Sequence, residues 1–155
     1  MAYILTSWAA SRVLSGHPDD DLTHWVTKAK VRPMIAIATM GSVLHGIATD
    51  TRYSANQRSR MSLVAQEALR DIHEDTGDRL LRAEFDIRAA EILAEILNIE
   101  EGQDVLSELD LIPAAIAIQH NHTLIVGHEI EAWENFAGEI APETGSLTLM
   151  TFAPS

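Results

Sequence analysis

Two short runs in this sequence leave almost no polar face for a strand to present: Met34–Ala38, which follows Pro33, and Thr123–Val126, closed by Gly127. A strand with one solvated face alternates apolar and polar residues, whereas one buried on both faces reads as a near-continuous apolar run. Such strands need cover on both sides. Parallel neighbours also need a long crossover, for which a helix is the usual solution.

The intervening sequence supplies those helices. Tyr3–Ala10 reads as a mostly apolar first strand, and His17–Asp21, with Pro18 and three successive Asp, caps a helix carrying Leu22, Trp25 and Val26. Thr39 is the expected N-cap of a helix through Val43, Leu44 and Ile47. Gln57–Glu74 is a long polar helix with Leu63, Val64, Ala68 and Ile72 at helical spacing. Leu80–Phe85 is a further strand. Asp86 begins a helix with Ala90, Leu93 and Leu97 on one face and Ile92 and Ile96 beside it. Proline is tolerated in a first helical turn, where no backbone donor is needed. Pro113 therefore sets the next helix start near Leu109–Asp110, with Ala114–Ile118 as its buried body. Glu129–Phe136 gives one or two helical turns, and Leu147–Phe152 a last strand. The expectation is one α/β domain over residues 1–155, a three-layer αβα sandwich around a short, mainly parallel sheet. Functional side chains in such sheets gather at the carboxyl ends of the strands.

Charge narrows the function. Of the formal −12, the first 88 residues contribute nothing, since their 11 acids meet 11 bases; Arg88 is the last basic residue, and 12 acids follow it. Phosphate binding depends on Lys and Arg releasing counterions, so a basic-patch nucleic-acid binder is excluded as the default, and so is docking on an anionic membrane. A basic partner, a bound cation or plain solubility suits the acidic half. With no cysteine, neither disulfides nor thiolate metal sites arise. The apolar start MAYILTSWAA is too short for a signal peptide, and no run approaches the ~20 apolar residues of a membrane span. A cytoplasmic location is expected.

No glycine-rich phosphate loop and no GxSxG elbow occurs. His120, His122 and His128 read as surface turn residues in preference to a zinc site, and Asp19–Asp21 as helix capping in preference to a metal cluster. Asp110, opening a helix, and Glu131, after the Thr123–Val126 strand, are the carboxylates that a parallel sheet can bring together. Convergent carboxylates hold Mg²⁺ or Mn²⁺, which prefer oxygen ligands, and such an ion can activate water for phosphodiester hydrolysis. The bland alternatives are an N-cap for Asp110 and a solvated helical acid for Glu131.

Four blocks, in order, give the chain a recognisable likeness. They are Trp8-Ala9-Ala10-Ser11-Arg12-Val13-Leu14-Ser15 after an apolar strand; Thr39-Met40-Gly41-Ser42-Val43-Leu44-His45-Gly46-Ile47; Asp110 with Ala114-Ala115-Ile116-Ala117; and Thr123-Leu124-Ile125-Val126 followed by Glu131. In these the chain resembles the PIN-domain family, specifically the VapC-like toxins of bacterial toxin–antitoxin pairs. The resemblance covers nearly the whole chain. It implies a metal-dependent ribonuclease fold using Mg²⁺ or Mn²⁺, a homodimer, and a small antitoxin that sets basic residues against an acidic pocket.

The same resemblance implies a degenerate site. Its third and fourth acids fall on Asp110 and Glu131, whereas its first Asp falls on Ala10, its Glu on Ser42, and the Asn after the first Asp on Arg12. A second register puts Thr6 or Ser7 at the first position and restores no carboxylate. Each lost acid removes a charge and an oxygen ligand, so metal affinity should fall steeply. The expected function is therefore protein binding with weak or no nuclease activity. The alternatives are an active ribonuclease whose site is rebuilt from Glu108, Asp104 or one of Asp19–Asp21, and a scaffold that tempers an active homologue.

Overall fold

Five strands form the middle layer: β1 (Tyr3–Leu5), β2 (Met34–Ala36), β3 (Leu81–Ala83), β4 (Thr123–Val126) and β5 (Thr148–Thr151). The computed structural model describes residues 2–15, 21–29, 31–74, 80–99, 106–140 and 144–152. In it the strands make one sheet of order β3-β2-β1-β4-β5, with every neighbouring pair parallel. The helices are α1 (Ser7–Ser15), α2 (Asp21–Lys28), α3 (Met40–Ala48), α4 (Ala55–His73), α5 (Ile87–Ile99), α6 (Glu108–His120) and α7 (Ile130–Ile140). The expected αβα sandwich is the observed architecture.

Alternation along the strands divides the core in two. Ile4, Ala36, Leu124 and Val126 pack with Ile92, Ile96, Leu111 and Phe136 of α5, α6 and α7. Their neighbours Leu5, Ile35 and Ile125 pack on the other face with Val13, Leu22, Val43, Ile47 and Leu69 of α1 to α4. Ile4, Leu5, Ile35, Leu124 and Ile125 are wholly buried. Each such side chain contributes about 1.5–3 kcal/mol of burial energy, which is why these strands carry no polar face.

Several boundaries differ from the sequence expectation. Tyr3–Ala10 is a strand only to Leu5. From Ser7 the chain is helical, with the Ala10 N–H donating to the Thr6 carbonyl at 2.9 Å. Ala9, Ala10 and Val13 then form the buried stripe of α1, and the strong helix preference of alanine overrides the apolar continuity of the run. Met34–Ala38 is likewise a strand to Ala36, followed by a 3₁₀ turn over Ile37–Thr39. Thr39 holds the expected N-cap position of α3 but makes no side-chain cap bond; its buried hydroxyl donates to the Ala36 carbonyl at 2.8 Å.

Helix α4 starts two residues early because Ser54 and Gln57 make a reciprocal capping box: Ser54 Oγ accepts from the Gln57 N–H and Gln57 Oε1 from the Ser54 N–H. Its buried face is Ala65, Leu69 and Ile72, leaving Leu63 and Val64 exposed. Asp86 does begin α5, accepting from the Ala89 N–H at 2.9 Å. Leu80–Phe85 narrows to β3, Leu147–Phe152 to β5, and α7 is longer than expected. Helix α6 begins at Glu108, so Pro113 falls in its second turn. His17, Pro18, Asp19, Asp20 and Asp104 lie outside the described residues. Among the described residues no helix is long and apolar enough to cross a membrane.

Candidate functional site

The chain leaves β1 toward β2 on one side, while β4 and β5 extend the sheet on the other. The strand order therefore reverses between β1 and β4. Beyond the carboxyl ends of two such strands the connections diverge and open a crevice, the usual ligand position in an open parallel sheet. Thr6 and Ser7 follow β1 there, and Gly127, His128 and Glu129 follow β4.

Thr6 is structural: its buried hydroxyl donates to the Ile125 carbonyl at 2.9 Å and ties the two strand ends together. Ser7 instead faces Asp110. Its backbone N–H, at 2.9 Å, and its hydroxyl, at 2.7 Å, both donate to Asp110 Oδ1. Ser7 is the first residue of α1, so its N–H is one of the donors that a helix start leaves unpaired. Asp110 lies in the first turn of α6, where the helix dipole also favours a negative group. One carboxylate thus serves two helix N-termini.

A cleft of about 490 Å³ opens beside this pair; its lining includes Ser7, Arg12, Ser42, His45, Asp50 and Asp110. Ser11, also on its wall, lies within hydrogen-bond distance of the Ser7 carbonyl (2.8 Å) and the Val43 carbonyl (3.1 Å). Helix α3 can approach so closely because residue 46 is glycine: a Cβ there would sit 2.8 Å from Ser11 Oγ. Arg12 lays its guanidinium 4.9 Å above the Trp8 ring. Its Nη1 is buried without a hydrogen-bond partner among the described residues, a condition that costs about 1–3 kcal/mol or more for a charged group. Asp50 is already paired, its Oδ2 being 2.7 Å from Arg52 Nη2. The hydrogen bond from Arg52 holds the Asp50 carboxyl below the usual range against the opposing effect of burial, with a lesser attraction from Arg12.

The sequence-derived site residues are only partly brought together. Asp110, Ser42 and Arg12 line the cleft. Ala10 does not: it is wholly buried in the core on α1. The residue after β1 that meets Asp110 is Ser7. Glu131 lies exposed in the first turn of α7 and lines neither this cleft nor its smaller neighbour. Glu108 is exposed at the start of α6, and Asp21 at the start of α2.

Besides Asp50 in the cleft, a second acid stands with Asp110: Glu129. Both line an adjoining hollow of about 200 Å³ with Thr6, Ser107, His128 and Trp133. Glu129 has φ 54°, a left-handed conformation unusual for this residue type. Its carbonyl accepts from the Trp133 N–H at 3.0 Å, and its Oε1 lies 3.3 Å from His128 Nε2. Sequence reasoning overlooked Glu129 because its role depends on a backbone conformation that no local pattern announces. Among the described residues, no three His, Cys, Asp or Glu side chains are grouped so as to hold a metal ion.

Comparison with known proteins turns on this architecture. No protein-family model matches the sequence, and no curated protein matches it significantly. Solved structures do match over nearly the whole chain. A chain of VapBC2 from Rickettsia felis, bound to a DNA fragment from its promoter, superposes with TM-score 0.59 at 18% identity, covering 97% of this chain and 98% of that one. The fold is PIN-like. A chain of DNA-bound VapBC from Salmonella typhimurium shares this PIN-like fold with TM-score 0.63 at 11% identity, over 97% and 98% of the two chains. So does a chain of FitAcB from Neisseria gonorrhoeae, with TM-score 0.59 at 16% identity over 96% of each. At these identities the likeness concerns the fold, and the site must be judged on its own residues.

Proposed function

We propose that this PIN-like protein acts by binding a protein partner in a toxin–antitoxin type of pair, with its metal-dependent ribonuclease chemistry lost or strongly reduced. The observation that carries the reading is the state of Asp110. Its Oδ1 already takes two donors from Ser7, and the cation of Arg12 lines the same cleft. Mg²⁺ and Mn²⁺ need several oxygen ligands around one point. The donor set here fits them poorly: Ser42 and Ser7 offer only hydroxyls on the cleft wall, Asp50 is paired with Arg52, and Glu131 lines neither the cleft nor its neighbour. No catalytic step is therefore assigned to a metal.

The partner is expected to be small and basic. An acidic surface without Lys or Arg after Arg88 attracts such a partner and repels RNA. The structural neighbours are themselves VapBC and FitAB complexes, which supports an antitoxin-like partner. A homodimer belongs to the same proposal.

The second reading, an active ribonuclease with a rearranged site, draws on Glu129, which shares the smaller hollow with Asp110 in a strained conformation. One experiment separates the two. RNA is incubated with the purified chain and millimolar Mn²⁺, beside Asp110→Ala and Glu129→Gln variants. The binding reading expects no cleavage above the variants' background. Cleavage abolished by either substitution establishes the nuclease instead.

A further inference from the structure

We propose that the cleft around Arg12 is a receptor for a single carboxylate, presented by a segment of a protein partner. The partner's class rests on the proposed function; the anion subsite rests on the cleft alone. Three observations carry it. The cleft holds about 490 Å³, within the usual range of ligand sites. Arg12 lines it, and its buried Nη1 has no acceptor among the described residues, so an oxyanion that draws the guanidinium toward the cleft would supply the missing hydrogen bond. The Trp8 ring, 4.9 Å from the guanidinium, holds that group in place and reduces the ordering cost of binding.

Neither acid in the wall accepts a hydrogen bond from Arg12 Nη1, although Arg12 attracts Asp50 across the cleft. Asp50 is paired with Arg52, and Asp110 faces the Ser7 donors. Ser42 adds a hydroxyl on the same wall. The single unpartnered Arg12 Nη1 has room for one oxyanion, and polyphosphate backbones require several cations, which an acidic chain of −12 does not gather here. A segment with one acid among basic residues satisfies both Arg12 and the acidic surroundings.

The test uses the full ¹⁵N-labelled chain and follows the Arg12 Nε–H and Trp8 indole N–H signals by NMR. N-acetylglutamate amide is the probe, with N-acetylglutamine amide as its neutral counterpart and a short oligouridylate as the RNA arm. Saturable shifts of both signals with the glutamate probe are expected, with binding about tenfold or more weaker for the glutamine probe. Arg12→Gln should abolish the shifts, and Arg12→Lys should retain them in weakened form, since Lys keeps the charge but not the fork. Shifts that never saturate, or that persist in a folded Arg12→Gln variant, overturn the proposal. Saturation by oligouridylate in place of the glutamate probe overturns the peptide assignment in favour of RNA. Failure of the partner-binding reading shows separately, as Asp110-dependent RNA cleavage.

Discussion

Ser7 and Asp110 are 103 positions apart in sequence, yet one carboxylate oxygen of Asp110 takes both the backbone N–H and the hydroxyl of Ser7. The contact joins the starts of α1 and α6 across the switch point of the sheet. It makes Asp110 a structural cap at the position where the resemblance implies a metal ligand. Asp110→Ala should therefore destabilise the fold by about 1–3 kcal/mol, because it strands a part-buried donor, while Ser7→Ala costs about 1 kcal/mol. The double variant should cost less than the sum of the singles. Urea denaturation of the four proteins measures the coupling, and strict additivity would count against the cap.

Gly127 is the closest approach in the site. A Cβ at that position would meet the Trp8 ring and lie 2.6 Å from the Phe152 carbonyl. Gly127→Ala should lower stability by about 1–3 kcal/mol through overpacking and displace Trp8 from its place beneath Arg12. Adding Trp8→Ala should not restore stability, because the backbone carbonyl remains. Thermal denaturation with tryptophan fluorescence reads both effects.

Glu129 adopts φ 54° at the mouth of the smaller hollow. A left-handed conformation costs a residue with a Cβ about 1–2 kcal/mol, and glycine avoids this at the expense of its extra unfolded-state freedom. Glu129→Gly should be neutral or stabilising by up to about 1 kcal/mol, whereas Glu129→Val should be clearly destabilising. A large loss of melting temperature in Glu129→Gly would show that the side chain, not the backbone, holds this turn.

His122, half-buried and stacked on His120 with ring centroids 5.3 Å apart, has its pKa lowered from 6.5, first by burial and then by His120. The unfolded chain then binds the proton more readily than the folded one. Stability is highest with the ring neutral and falls as pH drops from about 6.5 toward the lower folded value. His122→Gln should flatten the stability profile in that window. Chemical denaturation at a series of pH values tests this, and an unchanged slope would rule out His122 as its source.

The fold was legible where its causes are local. Apolar runs opened by Pro33 or closed by Gly127 announced buried strands, Asp86 announced a helix start, and their alternation announced a parallel sheet between helices. Boundaries were misread where two local preferences compete. At Trp8–Ala10 apolarity suits a strand and alanine suits a helix, and packing of Ala9 and Ala10 under α3 and α4 settled it. On α4, Leu63 and Val64 look like core residues, yet the stripe through Ala65, Leu69 and Ile72 is the one that meets the sheet layer.

The site divides along the same line. Composition alone established the missing thiols, the base-free stretch after Arg88 and the absence of any acid before Asp19, because these are counts that folding cannot alter. It also marked Asp110 as an acid at a helix start. Which residue meets Asp110, that Glu129 and not Glu131 shares its hollow, and that Arg12 sits on Trp8 with its Nη1 lacking an acceptor among the described residues were decided by the three-dimensional structure. The first depends on where the end of β1 lies relative to α6, segments about 100 residues apart in sequence; the second depends on the turn after β4, and the third on α1 forming in place of a strand, which sets Arg12 one turn from Trp8.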